Sequence, residues 1–246
     1  MTAQLRANIL DSGIEVSPVA APAPSSGSQF HAADQVTTAP ARAVGGLYRN
    51  RVKRALDILL VLVSLPVTLP LILVAAAVVA RDGGHPFYSQ PRLGLNGRIF
   101  RMWKLRSMEV DAEHSLERHL ARDPALRAEW DAHQKLSQDP RITPVGEFLR
   151  KSSIDELPQI WNILRGDMSI VGPRPMMPSQ RGLYPGDAYF RMRPGLTGLW
   201  QVTARNNSVF AFRAACDARY ERRLSLGLDL KVIFSTFRVV LRCTGK

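Results

Sequence analysis

The chain is poor in cysteine and histidine, the side chains that build disulfides and most zinc sites. Its 246 residues include two cysteines, Cys216 and Cys243, without a CxxC spacing, and five histidines without an HxxxH or HExxH pattern. A disulfide scaffold and a cysteine-based zinc site are therefore excluded, and the cysteine usage fits a reducing compartment. We expect the histidines at the surface.

Two nucleotide-binding motifs are also absent. No GxxxxGKS/T sequence occurs, which excludes a P-loop NTPase, and no GxGxxG follows a candidate strand, which leaves a Rossmann site unsupported. Acidic residues are outnumbered, because 33 lysines and arginines against 21 aspartates and glutamates give a formal charge of +12. Such a charge favours an anionic partner, whether nucleic acid, anionic lipid or a phosphorylated substrate.

One long apolar run interrupts this basic chain. Residues 1–46 are rich in alanine, proline, serine and threonine, and we expect them to be disordered. A basic collar at 49–54, which includes Lys53 and Arg54, then precedes an apolar run at 55–80. The run exceeds the roughly 20 residues that a membrane-spanning helix needs, so hydropathy alone favours a transmembrane helix.

Two features favour a re-entrant helix instead, one that enters a single leaflet and returns. Pro66 and Pro70 lie one turn apart near the middle of the run, where each removes a backbone hydrogen bond and bends a helix. The hydroxyls of Ser64 and Thr68 are placed to satisfy the freed carbonyls. Both flanks are basic, so the positive-inside rule gives no direction of crossing. Asp57 is then expected at the level of the lipid headgroups.

The rest of the chain reads as short strands and helices. Asn96-Gly97, followed by an apolar run, predicts a β-hairpin. The polar stretch 109–138 predicts a helix broken at Asp123-Pro124, and another helical run begins at Val145. A C-terminal helix at 224–241 carries an apolar stripe, which suits either a buried core helix or a helix in the bilayer interface. The stripe consists of Leu226, Leu230, Ile233, Phe234 and Phe237.

The most informative feature is an adjacent acid pair, Asp155-Glu156, between arginines. Because Ser153 precedes the pair in a capping-box pattern, a purely structural role at a helix start is the alternative. A carboxylate at a helix N-terminus is held ionised by backbone N–H groups. Ionised aspartate is a competent nucleophile toward phosphorus, and a neighbouring glutamate suits Mg²⁺.

Groups suited to phosphate lie on both sides of this pair. Arg150 is just upstream, and Arg174 lies in a stiff Gly-Pro-Arg-Pro loop, where guanidinium forks suit phosphate oxygens. A second glycine- and proline-rich loop at 191–207 offers Gln201 and Arg205 to a base, ribose or phosphate. Alone, that loop is also typical of an ordinary Pro-Gly turn.

Several motifs occur in order between Val52 and Leu241. They are Lys53-Arg54-Ala-Leu-Asp57, Gln90-Pro-Arg92-Leu-Gly94, Lys104-Leu-Arg106-Ser107-Met108, Asp155-Glu156-Leu-Pro158-Gln159, Gly166-Asp167-Met-Ser, Val171-Gly-Pro-Arg-Pro175, Arg193-Pro-Gly-Leu-Thr-Gly198 and Trp200-Gln201-Val. This ordered set resembles the bacterial sugar transferase family, the monotopic polyprenyl-phosphate phosphoglycosyl transferases that prime surface-polysaccharide synthesis.

The resemblance implies a mechanism. Asp155 would attack the β-phosphate of a UDP-sugar, release UMP and form a covalent phosphosugar intermediate, which the phosphate of undecaprenyl phosphate then attacks. Asp155 and Glu156 would hold Mg²⁺. The set of substrate-binding residues implied in this way comprises Arg150, Arg174, Gln201, Arg205, Lys104 and Arg106.

The resemblance also implies a place in the cell. Lys53, Arg54 and a re-entrant helix broken near Pro70, with Pro66 reinforcing the bend, would hold the protein at the cytoplasmic face of the bacterial inner membrane. UDP-galactose is the first expectation for the donor and UDP-glucose the second. The expected partners are these substrates and membrane lipid, without nucleic acid, and a homodimer and downstream glycosyltransferases stay open.

Two other functions are weighed against this one. A membrane-tethered nucleic-acid-binding regulator would explain the charge, but no recognition helix accompanies it. A non-catalytic scaffold of a polysaccharide-synthesis complex would be favoured by loss of either acid, and both are present. The expected architecture is α+β and mostly helical, with a tail at 1–46, the collar and re-entrant helix at 47–82, and a cytoplasmic domain at 83–246 with amphipathic interfacial helices.

Overall fold

The structure, a computed structural model, describes residues 46–133, 136–203 and 210–241. These residues belong to one compact unit, Gly45–Lys246. The tail that we expect to be disordered therefore lies, apart from Gly46, outside the described residues.

The described chain is mostly helical and carries two small sheets, as the α+β prediction required. The helices are α1 (Lys53–Val79), α2 (Ala112–Arg122), α3 (Pro124–His133), α4 (Pro144–Ser152), α5 (Gln159–Arg165), α6 (Leu199–Thr203), α7 (Phe210–Arg223) and α8 (Leu226–Leu241). The strands are β1 (Phe87–Leu93), β2 (Ile99–Leu105), β3 (Ser169–Val171) and β4 (Gly195–Thr197). β1 and β2 pair antiparallel, and β3 and β4 pair parallel.

The predicted hairpin is confirmed. β1 and β2 pair in register from Phe87 opposite Leu105 to Leu93 opposite Ile99. Asn96 and Gly97 both adopt positive φ, 56° and 73°. Asn-Gly tolerates these left-handed angles, and the turn they form matches the twist of the two strands.

The polar stretch also folds as predicted, as two helices that part at Asp123-Pro124. Asp123 begins α3 as its cap, because its Oδ1 accepts hydrogen bonds from the backbone N–H groups of Ala125 (2.8 Å) and Leu126 (3.2 Å). α4 is capped in the same way by Thr143, whose hydroxyl accepts from the Gly146 N–H at 2.9 Å. Local sequence signals therefore decide where these helices begin.

α1 is long and apolar enough to cross a membrane, the one such helix among the described residues. The expected break at Pro70 is wrong, since α1 continues as an α-helix through both prolines. Each proline removes a single N–H donor, and the neighbouring backbone hydrogen bonds maintain the helix. Ser64 and Thr68 donate to the carbonyls of Val61 (2.8 Å) and Ser64 (3.0 Å). These are not the carbonyls that the prolines free, four residues before each.

Both ends of α1 pack on the same domain, while its middle is exposed. Val61 belongs to a buried cluster with Met102, and Ala75 belongs to a second cluster with Leu105. Met102 and Leu105 lie on one strand, β2. Between the two contacts, side chains such as Val67 (72% exposed) have no protein neighbour to cover them.

The polar residues at the start of α1 lie inside the fold. Asp57 is 5% exposed and accepts a hydrogen bond from the Ser169 hydroxyl at 2.7 Å. Lys53 forms an ion pair with Asp229, Nζ to Oδ2, at 2.6 Å. Arg54 donates to two backbone carbonyls at the C-terminal end of α5. All three side chains thus have partners within the protein.

α8 exposes its apolar stripe, so the core-helix alternative is wrong. Leu226, Phe234 and Phe237 are 45%, 65% and 62% exposed. The opposite side of α8 faces the domain through the buried residues Asp229 and Val232. The stripe therefore contributes an apolar surface, not a core.

Candidate active site

The acid pair lies at the junction between α4 and α5, in a short helical turn, Ile154–Glu156. Ser153, just before it, has φ 59° and closes α4 by donating its N–H to the Arg150 carbonyl at 3.1 Å. The capping-box expectation is wrong, because the Ser153 side chain makes no capping hydrogen bond. Ser153 ends α4 and is followed only by this three-residue turn, so the backbone N–H groups of a long helix do not face the pair.

Lys104 supplies the nearest positive charge. From β2 its Nζ lies 2.7 Å from Glu156 Oε1 and 3.6 Å from Asp155 Oδ2. The structure therefore brings together three of the predicted site residues, contributed by a strand and by a turn far apart in sequence. A lysine between two carboxylates holds a position that suits the phosphates of a bound substrate.

Asp155 is buried, and its burial raises the pKa of its carboxyl above the ordinary value. Lys104 and Arg150 oppose that rise, whereas the charge of Glu156 adds to it. The expectation that a helix N-terminus keeps Asp155 ionised is therefore replaced by a different balance. Two cations, and not a helix end, hold the charged form of Asp155 in a desolvated place.

Glu156 behaves in the opposite way. Burial works to raise the pKa of its carboxyl, but Lys104, Arg174 and Arg92 together outweigh it and leave the pKa below the ordinary value. The adjacent carboxyls thus differ in their readiness to ionise, with Glu156 losing its proton first. A readily ionised Glu156 beside a less acidic Asp155 separates the roles that the two can play.

Arg150 lies close enough to Asp155 for their charges to interact, and it is itself held in place. Its Nε donates to the buried Ser107 hydroxyl at 2.8 Å. Burial lowers the pKa of Arg150, an effect that the charge of Asp155 opposes. A guanidinium keeps its proton in proteins, so Arg150 acts as a fixed positive charge near Asp155.

A pocket opens beside Glu156 and Lys104. It encloses about 320 Å³, counting its open mouth. Of the predicted substrate-binding residues, Lys104, Arg174 and Gln201 line it. The full lining is Arg92, Met102, Lys104, Glu156, Gln159, Arg174, Pro175, Gly195, Leu196 and Gln201. Asp155 is not among the lining residues but lies next to Lys104, at 3.6 Å.

Arg106 and Arg205 are not part of this pocket as described. Arg106 lies at the end of α1, where it forms an ion pair with Asp82 (2.5 Å) and donates to the carbonyls of Val79 (3.3 Å) and His85 (2.8 Å). Its guanidinium closes the C-terminal end of α1 and does not face the acid pair. Arg205 lies outside the described residues.

Arg92 is a pocket residue that our site prediction missed. Its Nη2 donates to Gln90 Oε1 at 2.5 Å, but its buried Nε has no hydrogen-bond partner. Burial and the neighbouring charges of Arg174 and Arg213 lower the pKa of Arg92. A buried arginine with an unused donor, among like charges, fits an anion. The signal in the sequence is the Gln90-Pro-Arg92 motif, which we noted only as part of the family resemblance.

Arg213, on α7, was missed as well. It donates to the backbone carbonyl of Arg174, and both guanidiniums lie near the Trp200 ring, at 5.8 Å and 6.0 Å from its centroid. These contacts fix the loop that carries Arg174. No local pattern in α7 reveals this role, because it depends on packing between distant segments.

Glycines bring the two Gly/Pro loops into contact. The Gly195 N–H donates to the Pro173 carbonyl at 2.8 Å, and the Gly172 N–H donates to the Thr197 carbonyl at 2.9 Å. A Cβ on Gly195 would lie 2.1 Å from the Gly172 nitrogen, which no side chain permits. The close backbone approach of these loops positions Arg174 at the pocket wall.

The donor set at the pair is compatible with Mg²⁺. Among the described residues no group of three or more histidine, cysteine or acidic side chains could hold a metal. Mg²⁺, however, is commonly bound by one or two carboxylates together with substrate phosphates. Asp155 and Glu156 supply two adjacent carboxylates, and Glu156 lines the basic pocket, so the residues present fit the ion.

The chain belongs to the bacterial sugar transferase family, whose model matches residues 48–243. It is 45% identical over 195 residues to a UDP-galactose-lipid carrier transferase of Erwinia amylovora. It is 43% identical over 195 residues to an undecaprenyl-phosphate galactose phosphotransferase of Salmonella typhimurium. Each of these alignments covers 78% of this chain and 41% of the relative.

A shorter relative is matched along most of its length. The chain is 43% identical over 211 residues to the exopolysaccharide production protein ExoY of Rhizobium meliloti, which covers 85% of this chain and 92% of the relative. The chain thus spans about two fifths of the first two relatives and nearly all of the third.

Proposed function

We propose that this protein is a phosphotransferase that moves a phosphosugar from a UDP-sugar to undecaprenyl phosphate, the priming step of exopolysaccharide or another surface glycan. Galactose is the first expectation for the sugar, which the names of two relatives support, and glucose is the second. The observation that carries the proposal is Lys104 between Asp155 and Glu156, at a pocket whose wall includes Arg92 and Arg174.

The proposed chemistry has two displacements. An Asp155 carboxylate oxygen attacks the β-phosphorus of the donor, the bond from that phosphorus to the bridging oxygen breaks, and UMP leaves with the electron pair. A phosphate oxygen of undecaprenyl phosphate then attacks the same phosphorus. The Asp155 carboxylate leaves, which regenerates the enzyme and yields undecaprenyl-diphosphate-sugar.

Charge around the pocket supports this route. Lys104, Arg92 and Arg174 face the same space and would stabilise negative charge as it moves to the leaving phosphate. Asp155 is 6% exposed, so it must become accessible when the donor binds, and movement of Lys104 toward the donor phosphates would contribute to this. Mg²⁺ held by Glu156 and Asp155 would neutralise the diphosphate and favour departure of UMP.

The acceptor is a membrane lipid, so the proposal includes attachment to the bilayer. We place α1 as a re-entrant helix, since both of its ends pack on the same domain. A straight helix would separate Val61 from Ala75 by about 21 Å, whereas Met102 and Leu105 are about 10 Å apart along β2. The exposed middle of α1 would enter the lipid, and the stripe on α8 would lie in the interface.

In this proposal the pocket would lie at the cytoplasmic face of the bacterial inner membrane, where a cytosolic nucleotide-sugar and a lipid acceptor meet. A homodimer and a hand-over to downstream glycosyltransferases are further expectations.

The test is UMP release by the full chain in nanodiscs that contain undecaprenyl phosphate and Mg²⁺, with a panel of UDP-sugars. We expect turnover that requires the lipid, prefers one sugar and is lost in Asp155→Asn. If folded protein releases no UMP with any of the UDP-sugars, the proposal is contradicted. A non-catalytic scaffold would then be the better account.

A further inference from the structure

A second basic crevice lies outside the proposed active site, at the start of α1. It encloses about 700 Å³, counting its open mouth. Its lining carries five cationic side chains and one carboxylate, Asp57. The cationic residues are Arg49, Lys53, Arg54, Arg191 and Arg193. β3 contributes the uncharged residues Ser169 and Val171 to the lining.

The positive charge of this crevice is not fully neutralised by the protein. Arg49 and Arg191 share the carboxylate of Glu221, at 3.1 Å and 2.8 Å. Arg54 and Arg193 make no ion pair within the described part of the chain. Lys53 is paired with Asp229 at 2.6 Å, and Asp57 interacts electrostatically with both Lys53 and Arg54. Among the lining cations, Arg193 is therefore the one that no carboxylate of the described residues partners.

Part of this arrangement has a structural explanation. Arg54 donates to the carbonyls of Ile163 and Leu164, and Arg193 donates its Nε–H to the Gly166 carbonyl at 2.9 Å. Both arginines therefore close the C-terminal end of α5. That role leaves the two terminal amino groups of Arg193 without a hydrogen bond among the described residues. They border a crevice lined by like charges, where they are available to bind an anion.

The position of the crevice indicates where the anion comes from. Two residues after Asp57, the exposed apolar surface of α1 begins at Leu59, which is 55% exposed. On the other side, the lining residue Leu224 leads directly into α8 and its exposed Leu226. The crevice therefore lies between the two apolar surfaces that the proposed function places in the bilayer. In a bilayer, the phosphates that lie at the edge of the hydrocarbon layer belong to the lipid headgroups.

We propose that this crevice is a binding site for the phosphate headgroup of an anionic membrane lipid, separate from the site of sugar transfer. The bound headgroup would hold the start of α1 at the membrane surface and neutralise Arg193. The inference uses the proposed membrane attachment to choose a lipid over free phosphate, but it needs no catalysis.

The test uses the full chain in neutral detergent, without donor or acceptor. Native mass spectrometry measures retention of dioleoyl phosphatidate and, for comparison, dioleoyl phosphatidylcholine. We expect one phosphatidate retained per chain at concentrations where phosphatidylcholine is lost. Arg193→Gln should weaken retention by about tenfold or more, since charge-assisted hydrogen bonds disappear. Arg49→Gln is a second variant if Arg193→Gln unfolds.

Matched controls separate a site from general charge. Arg51 is exposed, lies in the same collar and does not line the crevice, so Arg51→Gln should change retention by less than about twofold. Arg174→Gln removes a charge from the other pocket and should leave phosphatidate retention intact. Equal effects of Arg51→Gln and Arg193→Gln, or no saturable retention, would overturn the proposal.

Competition with inorganic phosphate identifies the source of the ligand. Displacement of phosphatidate only at concentrations far above that of the lipid supports a lipid site. Inorganic phosphate that binds as tightly as phosphatidate would overturn the lipid assignment. Because no sugar transfer is measured, failure here is distinguishable from failure of the proposed activity.

Discussion

At the scale of single residues, the ionisation of Asp155 depends on a small number of neighbouring charged groups. Burial makes this carboxyl hard to ionise, and Lys104 and Arg150 are the cations that oppose the effect. The nucleophile is therefore expected to depend on its neighbours for its protonation state as well as for its position.

Lys104→Gln tests this dependence. Without Lys104 the pKa of Asp155 rises further, and because the nucleophile must be deprotonated, activity is lost at a higher pH on acidification. We expect the acidic limb of the kcat/KM profile to move to higher pH, in addition to a lower maximum. Lys151→Gln removes the same charge at an exposed position of α4 and should leave the limb in place. An unmoved limb in Lys104→Gln would contradict the proposed charge balance.

Arg92→Gln tests the residue that our sequence prediction missed. Loss of a charge-assisted contact to the donor diphosphate should cost about 1.5–3 kcal/mol, or roughly 10- to 100-fold in kcat/KM for the UDP-sugar. Steady-state kinetics measure the effect, with Arg165→Gln, an exposed arginine on α5, as the control. An Arg92→Gln enzyme with unchanged kcat/KM would remove Arg92 from the binding set.

At the scale of elements, the contact between the two Gly/Pro loops is the most specific feature. The parallel β3–β4 pair is short, and Gly195 permits the approach that holds the Arg174 loop. The sequence marks these loops by their glycines and prolines, but not that they touch each other.

Gly195→Ala should damage this contact. Its Cβ would meet the backbone of Gly172, so we expect destabilisation of about 1–3 kcal/mol or more. Gly182→Ala is the matched control, because nothing lies within 4 Å of an added Cβ there, and its effect should stay within about 0.5 kcal/mol. Chemical denaturation in detergent measures both. Equal stability of the two variants would contradict the proposed packing.

α1 offers a second prediction at this scale, about its path through the membrane. In protein whose native cysteines are replaced by serine, Arg51→Cys and Arg81→Cys place one thiol on each exposed flank of α1. A re-entrant helix keeps both flanks in the cytoplasm. An impermeant maleimide should therefore label neither in intact spheroplasts and both after permeabilisation. Labelling of one flank alone in intact cells would establish a spanning helix.

Pro66 and Pro70 can be tested with the same reporters. Because α1 stays helical through both prolines, their expected contribution is a bend and not a break. Pro66→Ala with Pro70→Ala should straighten the helix and raise the fraction in which Arg81→Cys is reachable from outside. No change in labelling would show that packing at the two ends of α1 sets its path without the prolines.

At the scale of the whole molecule, local signals predicted local structure well. Asn96-Gly97 fixed the hairpin turn and Asp123-Pro124 the break between α2 and α3, because turn and capping preferences act within a few residues. The exposed side of α8 was not predictable, since its stripe suits a core or an interface equally.

The site was predicted unevenly for the same reason. Asp155, Glu156 and Lys104 do come together, but the burial that raises the pKa of Asp155 depends on the packing of distant segments. Arg106 has the positive charge expected of a phosphate-binding residue, but it lies at the end of α1 and forms an ion pair with Asp82 there. Arg92 and Arg213 become candidate site residues only when the fold shows their guanidiniums near that of Arg174.

The most direct measurement concerns the covalent intermediate. The full chain in nanodiscs without undecaprenyl phosphate is incubated with Mg²⁺ and the preferred UDP-sugar, labelled at its β-phosphate, and the labelled residue is mapped by mass spectrometry. We predict a phosphosugar on Asp155 that is lost when undecaprenyl phosphate is added, and no label in Asp155→Asn. Product formation by Asp155→Asn, or turnover without any labelled protein, would contradict the account.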